Sequence, residues 1–402
     1  MNVESFKVFL VHFSENRKGK FKDTMTFRHG VYVLEEATPV LGVRTVSGAI
    51  PFVVGIAKQG PILEPVLVHT KRKFSEIFGN SGNPQTYTLE QFANVYFDLY
   101  RMSPAVFVNV FDPSVHNDPS QVDSQDIIDG LNTVDKVFPK YGVVIGTIVI
   151  PKFSKDPAVA NYMIAKAQLI SGHFKAMAYI DANGNTLSEI VSFKQNFSSP
   201  HAVIFAPEVK GGNEVQGLAL HAAGLTAFVD YKNGGVPYES PSNKELRIDA
   251  PTVFFDPSEA NYLNSQGITT VNRFISGFKL WGNRTSAYPE NTDIKDTFIP
   301  NRRMANWLEN NLILNTWQKV DDPMNKRLIE TVVDTWNIFL QGLTKRGFLL
   351  GAKVYFTEED NPETEVAMGI IRFRINYLSP PPAERIEFIL TVDLSYFKNL
   401  GG

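Results

Sequence analysis

The chain contains no cysteine among its 402 residues, which excludes disulfide bonds, thiol catalysis and cysteine metal ligands together and suits a reducing compartment. Its formal net charge of −3 provides neither a basic field for nucleic acid nor a polybasic membrane anchor. No apolar run approaches the length of a membrane span, and Met1–Ser5 lacks the pattern of a signal peptide. We therefore expect neither nucleic acid nor membrane insertion among its interactions.

The sequence also lacks the motifs of common reaction centres. Its seven histidines occur singly, without the spacing of a metal site, and no Gly-x-Ser-x-Gly elbow is present. Ser171-Gly172-His173 joins serine and histidine, but it sits where a helix should end, so a turn is the simpler interpretation. His201 and His221 are expected to be packed residues. These patterns predict no catalytic, cofactor or metal site, and hence a protein that is not an enzyme.

What is present is an ordinary globular composition. Hydrophobic residues make up 43% of the chain and charged residues 20%, which predicts two or three folded domains with a sizeable core. The 30 phenylalanines raise the aromatic fraction to 12%. That fraction favours large aromatic interfaces in addition to cores.

The middle of the chain alternates between two kinds of pattern. Nearly continuous β-branched and apolar runs predict strands at 142–150, 176–180 and 202–206. Helical patterns lie between and after them, at 157–171, 186–193 and 216–224. Repeated strand–helix–strand units predict an α/β domain whose parallel-type sheet has helices on both faces.

The C-terminal part predicts an α+β domain that ends in an extended strand. Helices should begin at Pro300 and at Asp322-Pro323, with strands following at 352–357 and 368–377. After a stiff Pro380–Pro382 spacer, Ile386–Tyr396 alternates as a strand. One face of that strand is apolar and comprises Ile386, Phe388, Leu390, Val392 and Leu394.

The N-terminal residues admit two interpretations. Residues 6–13 are apolar on both faces of a possible strand, and residues 21–27 alternate between apolar or acidic and polar positions. A strand buried on both faces needs neighbours that its own chain need not supply, as in an assembly arm. An ordinary hairpin packed on its own domain explains the same pattern.

Residues 261–285 are the most specific block, with a helix end, an Ile-Thr-Thr strand and a Trp-Gly-Asn-Arg-Thr run in fixed order. This block resembles the tail sheath proteins of contractile bacteriophages. So do His29–Glu36 with the glycine–proline turn after it, Phe193–Ser198, and the proline-bounded Leu378–Ile386. The resemblance extends over residues 29–397.

The resemblance implies a multidomain fold whose central α/β domain is subtilisin-like but non-catalytic, followed by the α+β C-terminal domain. The implied segments are an N-terminal arm or hairpin at 1–28, a β-rich domain at 29–103, the central domain at 104–288, the C-terminal domain at 289–385 and an arm strand at 386–402. The subunits would polymerise as stacked hexameric rings around an inner tube, and contraction would drive that tube through a cell envelope. Copies of itself, the tube protein, and baseplate and terminator proteins are the implied partners, in a virion tail assembled in the host cytoplasm.

The resemblance also places the C-terminal domain nearest the tube. Lys319, Lys326 and Arg327 lie near the start of the second helix of that domain, where the helix dipole disfavours cations. We expect them to face an acidic tube surface; a solvated basic patch is the alternative interpretation. Two other functions remain open: the sheath of a phage-tail-like bacteriocin or other contractile injection system, and an α/β hydrolase or peptidase.

Overall fold

A computed structural model describes residues 47–401, together with Val43 and Thr45. The predicted N-terminal arm at 1–28, its two strands and the His29–Glu36 motif lie outside the described residues.

An eight-stranded, mostly parallel sheet organises the fold. Its strands are β1 (Pro51–Gly55), β2 (Val66–Val68), β3 (Ala105–Asn109), β4 (Thr147–Val149), β5 (Met177–Asp181), β6 (Ala202–Phe205), β10 (Ile268–Asn272) and β11 (Lys279–Trp281). They are arranged in the order β11-β10-β6-β5-β4-β1-β3-β2. The six central strands are mutually parallel, and the edge strands β2 and β11 pair antiparallel to their neighbours. The predicted α/β class with a parallel-type sheet is therefore confirmed.

Successive side chains of each central strand enter opposite cores, since side chains alternate across a sheet. In β5, Ala178 and Ile180 lie in one core, whereas Met177 and Tyr179 lie in the other. Helices cover both cores, which is why the strands read as continuous apolar runs. The helices are α1 (Lys71–Phe78), α2 (Thr88–Ala93), α3 (Ser124–Asn132), α4 (Val137–Tyr141), α5 (Pro157–Gln168), α6 (Leu187–Lys194), α7 (Leu218–Lys232) and α8 (Pro257–Ser265).

Shorter elements complete this region. A three-stranded antiparallel sheet contains β7 (Val209–Gly211), β8 (Glu214–Gln216) and β9 (Ala250–Pro251). A π-helix extends α2 over Asn94–Leu99, and 3₁₀ helices lie at Pro119–Gln121, Thr133–Lys136 and Phe153–Lys155. The glycine pairs at 211–212 and 234–235 lie at turns.

The C-terminal part contains α9 (Ile294–Thr297), α10 (Ile299–Thr316), α11 (Lys326–Lys345), β12 (Gly351–Tyr355), α12 (Glu363–Val366) and β13 (Arg374–Leu378). A 3₁₀ helix at Trp317–Lys319 connects α10 to the loop before α11, and another occupies Leu394–Gly401. Trp307 of α10 packs with Trp336 and Leu340 of α11 in a third core. β12 and β13 pair antiparallel over Gly351–Tyr355 and Arg374–Leu378.

The structure corrects several predicted boundaries. β1 and β2 belong to the large sheet, so the sheet crosses the predicted domain boundary at residue 104. α5 ends at Gln168, and α7 runs on to Lys232. α11 begins after Asn325, because the Asn325 side chain accepts a hydrogen bond from Leu328 N at 2.9 Å and caps the helix.

The predicted terminal strand over Ile386–Tyr396 is not formed in the described chain. Residues 379–393 carry no helix or strand, and Leu394–Gly401 is a 3₁₀ helix. A strand needs a neighbour for its backbone hydrogen bonds, and no described residue supplies one.

Candidate assembly surfaces

The C-terminal segment, residues 386–400, is the largest unpacked apolar feature of the described chain. Phe388 is 87% exposed and Leu390 95% exposed. The remaining residues of the predicted apolar face, Ile386, Val392 and Leu394, are also exposed. Soluble proteins rarely expose so continuous an apolar stretch unless it binds something.

Two contacts attach the chain immediately before this segment. Asn301 of α10 is buried, and its amide donates to Ser379 O at 3.2 Å and to Ser379 Oγ at 2.9 Å. Arg284 forms an ion pair with Glu384, with its Nε 3.0 Å from Oε1 and its Nη2 in contact with Oε2. After Glu384, the described segment continues into solvent.

The β12–β13 pair is a second surface with assembly potential. Each strand has only the other as a strand partner among the described residues, so each has one unpaired edge. Backbone groups along such an edge can accept a further strand. Arg374 and Asn376 are exposed on β13, and polar residues of this kind limit indiscriminate pairing.

The predicted tube-facing residues lie on the loop and first turn around the start of α11. Lys319 ends the 3₁₀ helix and its Nζ lies 2.9 Å from Asp322 Oδ2. Lys326 and Arg327 are exposed in the first turn of α11, and Lys326 Nζ lies 3.7 Å from Glu330 Oε1. Because two of the three cations have acidic neighbours, the patch is of mixed charge rather than purely basic.

The block that carries the resemblance, residues 261–285, folds into a single compact unit. With its amide oriented to satisfy both groups, Asn264 donates to Trp281 O at 3.0 Å and accepts from Trp281 Nε1 at 3.1 Å. Gly282 has φ +143°, and a Cβ there would lie 2.9 Å from Thr269 Cα. A glycine is therefore required after Trp281, because β11 packs closely against β10 at this position.

Arg284, the next charged residue of that block, lines a polar cleft of about 590 Å³. Its guanidinium lies 4.4 Å from the centre of the Tyr288 ring and 4.1 Å from that of Phe298. Nη1 also donates to Thr297 Oγ1 at 3.0 Å. Asn261, Asn264 and Trp281 also line the cleft, and so do the residues of Pro382–Arg385.

The candidate nucleophile and histidines occupy structural positions. Ser171 donates its hydroxyl to Asp135 O at 2.9 Å in a left-handed turn after α5, and the His173 ring packs on Trp317 at 5.2 Å. The buried His201 ring bonds Ala176 O, and burial lowers the pKa of His201 to about 4. Nε2–H of the fully buried His221 donates to Gln216 Oε1 at 2.7 Å, and burial lowers the pKa of His221 to about 3. Both rings are the packed histidines that the sequence predicts.

Asp181 is the buried acid that the sequence interpretation missed. It ends β5, and its Oδ1 accepts from Ala219 N at 2.8 Å in the first turn of α7. Burial raises the pKa of Asp181 to about 7, and Oδ2 has no hydrogen-bond partner among the described residues. Its position after a buried parallel strand was the available signal, because side chains there meet the next helix start.

The described residues contain no group of three or more histidine, cysteine, aspartate or glutamate residues placed to hold a metal ion. None of their helices has the length and apolar character needed to cross a membrane.

Known proteins similar to this chain are phage tail sheath proteins. The phage tail sheath protein central domain matches residues 120–286. The chain is 26% identical to the tail sheath protein of Burkholderia phage BcepMu, over 94% of this chain and 99% of that protein. It is 27% identical to the tail sheath protein of Escherichia phage P2, over 93% and 98% of the two chains. The chain is thus similar to phage tail sheath proteins over nearly its whole length.

Solved sheath structures have the same fold. The helical sheath of the anti-feeding prophage in its contracted state superposes with a TM-score of 0.68 at 20% identity. The superposition covers 92% of this chain and 100% of the sheath chain. The PVC sheath complex of an extracellular contractile injection system, also contracted, gives a TM-score of 0.69 at 19% identity, over 92% and 99%. The mixed α/β architecture with its large sheet is thus a sheath architecture.

Proposed function

We propose that this chain is the structural subunit of a contractile sheath, which polymerises as stacked hexameric rings around an inner tube and contracts to drive that tube through a cell envelope. The observation that carries this proposal is the exposed apolar C-terminal segment in a chain similar to tail sheath proteins. A subunit that functions alone gains nothing from exposing Phe388 and Leu390, whereas a subunit that joins its copies through them does.

The C-terminal segment is the proposed connection between copies. Its apolar face, residues Ile386, Phe388, Leu390, Val392 and Leu394, would form a strand on a sheet edge of a neighbouring copy. Backbone hydrogen bonds would supply affinity and the alternate apolar side chains specificity. The unpaired edges of β12 and β13 support this proposal, since each has hydrogen-bonding groups available for a further strand.

Contact with the inner tube is proposed for the start of α11, through Lys319, Lys326 and Arg327. Exposed ion pairs typically contribute less than about 1 kcal/mol each. Weak contacts suit a sheath that must slide off its tube during contraction. On binding, Lys319 and Lys326 would have to exchange their present partners, Asp322 and Glu330, for acidic groups of the tube.

The finer features of the assembly belong to the same proposal. They are the subtilisin-like character of the central domain, the arm at 1–28, the domain boundaries at 288 and 385, the baseplate and terminator proteins as end partners, and a virion tail assembled in the host cytoplasm. A phage-tail-like bacteriocin or other contractile injection system is the alternative setting. The similarity to the anti-feeding prophage and PVC sheaths supports that alternative, and both settings use the subunit in the same way.

Negative-stain electron microscopy of the purified chain tests the proposed function. Long, striated, hollow cylinders are expected, and particles that stay dispersed at every concentration would count against a sheath. Labelling with a fluorophosphonate probe tests the hydrolase alternative. We propose a non-catalytic protein and expect no labelling, because Ser171 donates to a backbone carbonyl rather than to a histidine.

A further inference from the structure

The last two contacts that attach the chain to the core, before the C-terminal segment begins, are of different kinds. The Asn301–Ser379 contact is buried and lies between α10 and the end of β13. The Arg284–Glu384 contact lies beyond the prolines, at the surface of the polar cleft, with Glu384 30% exposed. It is the last contact with the core that the described chain makes before the segment enters solvent.

Arg284 is held in place independently of Glu384. The rings of Tyr288 and Phe298 hold its guanidinium, and Thr297 Oγ1 accepts from Nη1. Nε and Nη2 remain directed at Glu384, and a guanidinium meets a carboxylate best in this two-point geometry. Because the guanidinium is already oriented, little conformational freedom is lost when Glu384 binds.

We propose that Arg284 and Glu384 form a latch that fixes the point at which the C-terminal segment leaves the core. With the latch closed, the segment departs at Glu384, beside the β10–β11 hairpin. With the latch open, the last anchor is Ser379, which frees five more residues. At about 3.3 Å per extended residue, the reach of the segment then grows by about 17 Å.

The consequence of this latch for assembly rests on the proposed function, because a fixed point of departure limits which neighbouring copy the strand can reach. The latch itself does not depend on assembly. Its energy should be modest and salt-sensitive, since one partner is partly exposed. The contact is therefore suited to reversible opening rather than to permanent attachment.

Pulsed electron spin resonance on the unassembled full chain tests the latch. Since the natural chain has no cysteine, spin labels attach selectively through the substitutions Ser265→Cys on α8 and Ile389→Cys in the segment. Both side chains are exposed, and Ile389 lies off the proposed apolar face. The parent pair should give a distance distribution with a defined long-distance limit, which is set by the five residues from Arg385 to Ile389.

Adding Glu384→Ala should broaden that distribution and extend its long-distance limit by up to about 17 Å. Glu387→Ala is the matched control, because Glu387 pairs only with the exposed Arg385 and should leave the distribution unchanged. Equal distributions with and without Glu384→Ala, or an equal broadening by Glu387→Ala, would overturn the latch. Because the measurement uses unassembled chains, a failure to form cylinders would not affect its outcome.

Discussion

Arg303 of α10 and Asp230 of α7 form an ion pair in which each side chain is only 1% exposed. Nη1 lies 3.1 Å from Oδ1, and Nη2 contacts Oδ2. Since α7 packs on the large sheet and α10 belongs to the C-terminal part, this pair joins the two regions. Removing one partner leaves the other charge buried without its counter-charge.

Arg303→Met should therefore lower the free energy of unfolding by about 3–5 kcal/mol, measured by denaturant unfolding. Lys326→Met removes one partner of an exposed pair and should cost less than about 1 kcal/mol. The double variant with Arg303→Met and Asp230→Leu should recover most of the loss, because no buried charge remains. A double variant less stable than Arg303→Met would contradict this account.

Asp181 should make the stability fall as pH rises. Burial raises the folded-state pKa of Asp181 to about 7 from its ordinary value of 3.8, so between these pH values the folded state holds a proton that the unfolded state has lost. The contribution of Asp181 to the free energy of unfolding is fully present below pH 3.8 and is lost as the pH rises through about 7. This loss amounts to at most about 4 kcal/mol.

Asp181→Asn keeps the acceptor for Ala219 N but cannot ionise. It should remove this part of the pH dependence and leave the variant more stable than the natural chain at about pH 8. Denaturant unfolding at a series of pH values measures the difference. Parallel stability curves for the two proteins would show that Asp181 does not titrate in this range.

The apolar face of the C-terminal segment should decide assembly. Substituting Phe388, Leu390 and Val392 with serine should leave a folded monomer but abolish cylinders, because the interface then loses its apolar burial. Substituting Glu387, Thr391 and Ser395 with alanine provides the matched control on the other face. Circular dichroism checks folding and electron microscopy counts cylinders. Normal cylinders from the first variant would exclude this face as the connection.

The start of α11 should decide binding to the tube. Replacing Lys319, Lys326 and Arg327 with glutamate should abolish sheathing when the tube protein is co-expressed. An acidic tube surface would repel the introduced glutamates. The same reversal at the exposed Lys58, Arg72 and Lys73 is the control for net charge. Tubes sheathed at normal frequency by the first variant would place the contact elsewhere.

Much of the fold could be predicted because local patterns agree with burial. β5 and β6 are buried along their whole length and read as continuous apolar runs. α5 follows the Asp156-Pro157 signal, and Asp156 caps it by accepting from Ala158 N. The same signal at Asp322-Pro323 misplaced the start of α11, because Asn325 provides the actual cap.

The polar surface of α10 could not be predicted. Asn306 and Asn310 are buried because their side chains hydrogen-bond the backbone at Lys175 and Ala176, beside the start of β5. A hydrophobic pattern counts such residues as exposed, since their partners lie 130 or more residues away. The role of Arg284 could not be predicted either. The motif that contains it was recognised, but its partner Glu384 lies 100 residues later in the sequence.

The predicted terminal strand could not be tested against a single chain, because a strand needs a partner. The alternation over Ile386–Tyr396 predicts an amphipathic strand, yet the described chain forms no strand there. Alternation reports which side chains can be buried, whereas strand formation requires a partner edge. Whether a neighbouring copy provides that edge stays a prediction.

Helical reconstruction of cylinders by cryo-electron microscopy, before and after contraction, tests the central proposal most directly. A sheath subunit should keep its eight-stranded sheet unchanged in both states while the contacts between copies rearrange, since the stored energy lies in the interfaces. The account predicts a shorter, wider cylinder built from superposable cores, with residues 386–394 of each copy paired to a neighbour in both states. Cylinders that do not shorten, or cores that refold during shortening, would contradict it.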